Sequence, residues 1–392
     1  MNLKYLWVYS AADEATVAWH ERLLRRRQAR GYDVRNFCNT PLAMNRRWLP
    51  FPELDQRWRQ GDSFLMQMYS DLTKTLEDRN VLILYNGANL HPEFVRSIRS
   101  VLKVYTCGDP ESAHILSEPL APAFDIHFVN QMSEVERFKS WGLSKVKFMP
   151  LGSIATEDDV CDVSDYQIRD KSARSIPIIL CCEYSPWRRE KLDVLSRSFP
   201  EAFIAGKGWP RGIISNEEMQ VRYKASRIGW NIHNSTGFNF RTYELAAHGV
   251  MQLCDNKSDL PCIFNVGREV VGFDSLAECI ELTRYYLAHP AEQQEIAVTG
   301  WRRWRADYTP DAVWERLTKD IEAEFVLRRQ DVVVTKQEVF HIELKLRRHV
   351  RAVRPREMIR HLIRCGLDRF PRIKDALRRV RHLLVAQVCN KP

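Results

Sequence analysis

No C-x-x-C pair, no metal-ligand spacing among the histidines and no low-complexity tract occurs in these 392 residues. Those absences exclude a disulfide-rich module and leave no metal or cofactor signature. The cysteines Cys38, Cys107, Cys161, Cys181, Cys182, Cys254, Cys262, Cys279, Cys365 and Cys389 are dispersed, most of them in apolar runs, as reduced buried thiols are. No stretch reaches the roughly 18 uninterrupted apolar residues of a spanning helix. The apolar run Leu3 to Tyr9 is followed at once by Asp13 and Glu14 without a small-residue cleavage site, so it reads as a first strand and not as a signal peptide. A cytoplasmic location is expected.

What is present is the composition of a folded chain, 45% apolar and 28% charged, in a length that favours two domains. Short apolar and β-branched runs alternate with helical segments in both halves, the pattern of parallel sheets covered by helices. Strands are expected at Leu3 to Tyr9, Tyr32 to Cys38, Val81 to Tyr85, Leu102 to Thr106, Ile126 to Val129 and Val146 to Met149. A polar, acidic stretch over 155–175 reads as a linker. The alternation resumes with strands at Ile176 to Cys182, Ala202 to Ala205, Ile228 to His233, Val250 to Cys254 and Glu269 to Phe273, and three helices between Leu276 and Leu327 close that half. The division expected is a first Rossmann-like domain over 1–154, the linker, a second over 176–330 and a tail over 331–392. Two doubly wound sheets of this kind leave a cleft at the carboxyl ends of their strands.

The richest segment is Gly229 to Asp255, GWNIHNSTGFNFRTYELAAHGVMQLCD. A strand ends at Ile232 and His233, a polar loop with Thr236, Gly237 and Phe238 follows, and a helix opens near Asn239. A helix start offers unpaired N–H groups suited to a diphosphate. Glu244 could accept two hydrogen bonds from a vicinal diol such as ribose. Arg241 lies three residues earlier on the same helix face, so an ion pair between the two is the plain alternative. His233 reads equally as a packing residue or a catalyst.

From Ala202 to Leu317 the sequence resembles the CgeB-like, spore-maturation glycosyltransferases of the GT-B clan. The resemblance is carried by Gly206, Gly208 and Trp209, then Asn231 and His233, then Asn239, Arg241 and Glu244, then Gly249 and Asp255. It continues through Phe264, Gly267, Glu269, Val270 and Phe273 to Tyr308 and Thr309. It implies a GT-B fold, a nucleotide-diphosphate sugar as donor, and Glu244 as the second glutamate of an E-x7-E motif that holds the donor ribose. The clan's retaining chemistry is implied over inversion. Two positions depart from the pattern: Thr236 stands where the first glutamate falls, and Asp307 where the family usually has His.

Other residues complete the expected donor site. Arg188, Arg189 and Lys191 follow a strand where related enzymes set basic groups against the diphosphate, although such residues are also common solvated surface. Gly206 permits close backbone approach, and Trp209 either stacks on the base or packs in the interior. In the first half, the loop after Leu102 to Thr106 carries Asp109, either a catalytic or acceptor-binding group or a plain turn residue before Pro110.

Residues 331–392 hold 16 Lys and Arg against 6 Asp and Glu, which leaves 43 against 44 for the first 330. Apolar residues recur there at helical spacing, clearest at Ile373, Leu377, Val380 and Leu384, with Pro355 and Pro371 dividing short helices. Such a tail suits an anionic membrane surface or a belt across the first domain. Nucleic acid is disfavoured, since only Phe340 and Phe370 interleave the basic residues. The function expected is transfer of a sugar to a glycan or lipid-linked acceptor. A nucleotide-sugar epimerase of similar build and a non-catalytic sugar-nucleotide binder are the alternatives.

Overall fold

The structure is a computed structural model that describes residues 2–86, 89–108, 117–186, 188–233, 238–256, 259–327 and 333–368, with side chains as far as Val353. Asp109, Thr236, Gly237 and the segment holding Ile373 to Leu384 lie outside the described residues.

Two parallel sheets face one another. The first has six strands, β1 (Lys4–Tyr9), β2 (Asp33–Cys38), β3 (Val81–Tyr85), β4 (Leu102–Cys107), β5 (Ile126–Val129) and β6 (Val146–Phe148), in the order β2-β1-β3-β4-β5-β6. The second has β7 (Ile176–Cys181), β8 (Phe203–Ala205), β9 (Ser226–Asn231), β10 (Met251–Asp255) and β11 (Val271–Phe273), in the order β11-β10-β9-β7-β8. Every expected strand is present within two residues at its ends, because strands covered on both faces read as unbroken apolar runs. β3, with the sequence VLILY, is buried along its first four residues. In each sheet the strand order reverses once, between β1 and β3 and between β7 and β9. The crevice of a doubly wound sheet opens at the carboxyl ends beside such a switch point.

The first helix opens on a side-chain cap. Glu14–Ala29 starts where Asp13 accepts the Thr16 N–H at 2.8 Å. Sequence reading did not resolve the helices Phe51–Gln60 and Pro92–Ser97. Each opens on a proline at its first or second position, where the missing N–H costs no hydrogen bond.

Three features correct the expected organisation. Residues 155–175 are no free linker: Ala155, Val160, Val163 and Ile168 are buried in the core of the second sheet, and the short helix Asp165–Arg169 lies among them. The helix Pro310–Leu327 does not close the second half. Its Trp314, Leu317, Ile321 and Phe325 pack on the first sheet beside Tyr5, Trp7 and Phe128. The beginning of the tail is a structural belt. Val334, Val339, Ile342 and Leu346 join the first unit's core, Glu338 accepts the N–H groups of Arg99 and Ser100 at 2.8 and 2.9 Å, and His349 stacks on Trp58 at 4.1 Å. The helix Lys336–Asp368 also runs unbroken through position 355, so Pro355 does not divide it. A proline removes one N–H donor and leaves the rest of a long helix bonded.

The two units are tied by charge as well. Arg22 grips Asp159 through two 2.8 Å bonds, and Arg26 reaches Glu157 at 2.8 Å. From the other side, Asp259 accepts the Met132 N–H at 2.7 Å. These contacts hold the crevice ends of the two sheets against each other.

Candidate functional site

A cleft of about 620 Å³ lies between the units. Its first-unit wall includes Ser10, Tyr85 and Asn86, which follow β1 and end β3 at the switch point, together with Asp13 and Trp19 of the first helix. Its second-unit wall includes Asn216, Gln220, Phe240 and Glu244. The first-unit residues had no local signature. An Asn after an apolar strand is the one available hint, and Asn86 does hold the next strand end: its Oδ1 accepts the Gly108 N–H at 2.7 Å, while Gly108 in turn accepts from Asn130 at 2.8 Å. Gly108, the last residue described before Asp109, is thus held on both sides.

On the other wall the helix Arg241–Ala247 presents Glu244 to the cleft. One carboxylate oxygen accepts the backbone N–H groups of Ile154 and Ala155, the latter at 3.0 Å. Burial pushes the Glu244 carboxyl up to about 7, against the lowering effect of those two amides. His248, one turn on, donates its Nδ1–H to the Glu244 carbonyl at 2.7 Å and is pushed down to about 4 by burial, so it is neutral beside the carboxyl.

The remaining polar residues of the segment converge on a different point, Asn231. Its Oδ1 accepts from Asn239 at 3.1 Å and from Arg241 at 3.3 Å, and its amide donates to Thr242 at 3.0 Å and to Gln252 at 2.8 Å. Asn239 also caps the helix by accepting the Thr242 N–H at 3.1 Å. Arg241 donates through Nε to the Cys181 carbonyl at 2.9 Å, so its bonds run to the ends of β7 and β9, with no ion pair to Glu244 among the described residues. His233 is buried with Nδ1 2.6 Å from Asp255 Oδ1 and Nε2 3.4 Å from Thr242, and Phe238 meets its ring edge-on.

His233, Cys254 and Asp255 have ligand atoms within 4.8 Å of one another, the only such group among the described residues. The donor set does not suit an ion, however. Tetrahedral zinc ligands stand about 3.3 Å apart, whereas the 2.6 Å between His233 and Asp255 is a hydrogen bond.

The basic residues after β7 separate. Arg188 is buried, donating to the carbonyls of Ile232 and Glu183 at 2.8 Å each, and burial holds its pKa below the usual arginine value. It clamps the ends of β7 and β9. Arg189 and Lys191 are exposed, and Arg189 lies over the Tyr184 ring at 4.9 Å. Tyr184 in turn packs on Trp209 at 4.7 Å. The loop that presents Trp209 depends on Gly206, whose φ is +137° and whose missing Cβ would fall 2.1 Å from the Cys182 carbonyl oxygen. Two clusters therefore stand at the carboxyl end of the second sheet: Glu244 at the cleft, and the Arg189, Tyr184 and Trp209 stack near β7 and β8.

Comparison with known proteins bears on this geometry. Residues 188–319, about a third of the chain, match the family described as "Glycosyl transferase-like". No curated protein matches the sequence. Among solved structures, the chain is similar to sucrose-phosphate synthase from Thermosynechococcus elongatus, with 12% identity over 83% of this chain and 100% of that one and a TM-score of 0.58. It is also similar to HepE of Anabaena in complex with UDP and glucose, with 14% identity, coverage of 82% and 100% and a TM-score of 0.54. An α,α-trehalose-phosphate synthase (UDP-forming) from Burkholderia vietnamiensis gives 10%, 82% and 100%, and 0.56. The likeness establishes the fold: two facing parallel-sheet units of the GT-B type.

Proposed function

We propose that this chain is a GT-B glycosyltransferase that takes a sugar from a nucleotide-diphosphate donor held on the second unit and passes it to an acceptor on the first. The observation that carries the reading is the position of Glu244. It stands in the segment that matches a glycosyl transferase-like family, on the cleft wall opposite the first unit, and it has one oxygen committed to backbone amides. A carboxylate held in that way is oriented, and its remaining acceptor capacity suits the two hydroxyls of a ribose. The Tyr184 and Trp209 rings offer an apolar face for a base, with Arg189 beside them for phosphate oxygens. HepE, of like fold, binds UDP and UDP-glucose.

In this reading Asn239, Arg241, Arg188 and His233 shape the donor loop and do not face the sugar directly, since their side-chain groups bond to strand ends, to a helix start and to Asp255. Retention of configuration, a CgeB-like affiliation and independence from any metal or cofactor belong to the same proposal and rest on the resemblance of the motifs. The anomeric coupling constant of the first-formed product decides the stereochemistry, and activity after chelation decides the metal. Association with an anionic membrane belongs to it too. No described helix is long and apolar enough to cross a membrane.

Titration calorimetry tests the donor site. Each nucleoside diphosphate of a panel is compared with its nucleoside, and at least one diphosphate is expected to bind far better. The Glu244→Gln variant is expected to lose roughly 1.5 to 3 kcal/mol of that binding, as befits a charged hydrogen-bonding partner. Equal affinities throughout the panel, or a folded variant with unchanged affinity, would remove Glu244 and its loop from the site.

A further inference from the structure

Behind the first-unit wall of the cleft lies a second, smaller pocket of about 80 Å³ between the first sheet, the helix Glu14–Ala29 and the helix Pro310–Leu327. Trp19, Tyr85 and Phe240 line both cavities, so the pocket adjoins the cleft at the point where donor and acceptor sides meet. Its walls are mostly aromatic and aliphatic, with the hydroxyls of Thr106 and Ser153 among them and Arg27 as the one charged residue. The Arg27 guanidinium lies 3.9 Å from the ring centre of Trp314 and 4.6 Å from that of Trp7.

Arg27 is 6% exposed and makes no side-chain hydrogen bond to another described residue, and its Nη1 is buried without a partner. Its neighbours on the helix differ in this respect. Arg22, Arg26 and Arg30 all reach carboxylates. Asp311, the nearest acid, is taken up by Arg26 and Arg30 and makes no hydrogen bond to Arg27. The Trp314 indole N–H is likewise buried without an acceptor. Two donors in one apolar pocket with nothing to accept from them is a costly arrangement, since a buried unpaired donor loses its water without compensation. Cation–π contact offsets part of that loss for Arg27 but leaves Nη1 unpaired.

We propose that Arg27, held between Trp7 and Trp314, is an oxyanion subsite for the acceptor: the molecule that receives the sugar carries a carboxylate or a phosphate, which enters this pocket. The two indoles fix the guanidinium plane, and a planar fork pairs with two oxygens of such a group. The volume admits a group of a few heavy atoms and not a sugar ring, so the ring of the acceptor stays in the larger cleft, next to Phe240 and the donor. This inference rests on the glycosyltransferase reading.

The test uses the full chain and intrinsic tryptophan fluorescence, with Trp7, Trp19 and Trp314 as the reporters nearest the pocket. Glucuronate, glucose 6-phosphate and neutral glucose are titrated separately, with and without the tightest-binding nucleoside diphosphate of the panel. At least one anionic sugar is expected to give a saturable change that glucose does not, and the one that binds tells carboxylate from phosphate. Binding should persist with the diphosphate present, and should weaken about tenfold or more in Arg27→Gln and less in Arg27→Lys. The proposal falls if neither anionic sugar binds better than glucose, if the diphosphate competes the sugar away, or if a folded Arg27→Gln binds unchanged. Should both variants fail to fold, the comparison of charged with neutral sugar on the native chain still decides. Diphosphate binding is read in the same samples. Its loss with anionic sugar still bound would sink the donor reading alone, and its persistence without anionic sugar binding would sink this one alone.

Discussion

Glu244 occupies two environments at once, the amides of the Ile154 and Ala155 turn and the open cleft, and that makes its protonation a functional variable. Burial raises its pKa from the ordinary 4.5 to about 7 in the folded chain. Its contribution to stability is therefore full below the ordinary carboxyl value and is lost as pH rises through about 7. Ribose hydroxyls donate hydrogen bonds, so they favour the ionised form. Nucleoside diphosphate affinity is expected to rise about tenfold from pH 6 to pH 8, the change in the ionised fraction of a group with that pKa. Glu244→Gln should flatten the part of the profile that the phosphate's own titration does not explain. Calorimetry of both proteins across that range checks this, and parallel profiles would separate Glu244 from the ribose. The residue types of this segment were legible in the sequence, but their partners were not. Arg188 and Arg241 bond to the carbonyls of Ile232, Glu183 and Cys181, and a backbone carbonyl leaves no trace in a sequence. Arg27 escaped notice for the opposite reason. It lies in the run Arg25 to Arg27 of an exposed-looking helix, and only the return of Trp314 from far along the chain encloses it.

At the scale of elements, both sheets were readable because a parallel strand buried on two faces is apolar throughout, and a short apolar run between turn residues has few other meanings. What periodicity could not tell was which sheet a helix covers. Pro310–Leu327 follows the second sheet in sequence and yet buries Trp314, Leu317, Ile321 and Phe325 on the first. An amphipathic face states that it will be covered and does not name its partner. The loop after β8 has a clearer logic, since a glycine is required where φ is +137° and the Cys182 carbonyl stands in the place of a side chain. Gly206→Ala is expected to cost about 1 to 3 kcal/mol or more from backbone conformation alone, and the clash adds to it by driving the loop away from β7. Urea unfolding should show the loss, and nucleoside diphosphate affinity should fall with it because Trp209 is displaced from Tyr184. A variant with full stability and full affinity would mean that neither the loop nor the Trp209 ring serves the donor.

Taken as one body, the molecule uses the stretch from Pro310 to Val353 to hold the first unit together, and this changes what the basic tail can be. Val334, Val339, Ile342 and Leu346 are buried in the first core. At about 1.5 to 3 kcal/mol for each buried aliphatic side chain, the four together amount to roughly 6 kcal/mol or more, comparable with the 5 to 15 kcal/mol that separates a folded domain from its unfolded chain. A chain ending at residue 329 is therefore expected to express poorly or to unfold many degrees lower, with Trp58 losing its stacking against His349. A chain ending at residue 353 keeps the belt and should unfold close to the full-length temperature while binding nucleoside diphosphate equally well. The two truncations separate the structural part of the tail from its charge. Residues 354–392 carry 11 Lys and Arg against 3 Asp and Glu, and each basic residue near an anionic bilayer contributes on the order of 1 kcal/mol, screened by salt. Full-length protein is expected to sediment with anionic vesicles at low salt and to be released as salt rises, whereas the chain ending at 353 should stay in the supernatant. Equal sedimentation of the two would move any membrane contact onto the folded body, and no sedimentation of either would leave the tail as a belt with a charged extension and no affinity for lipid.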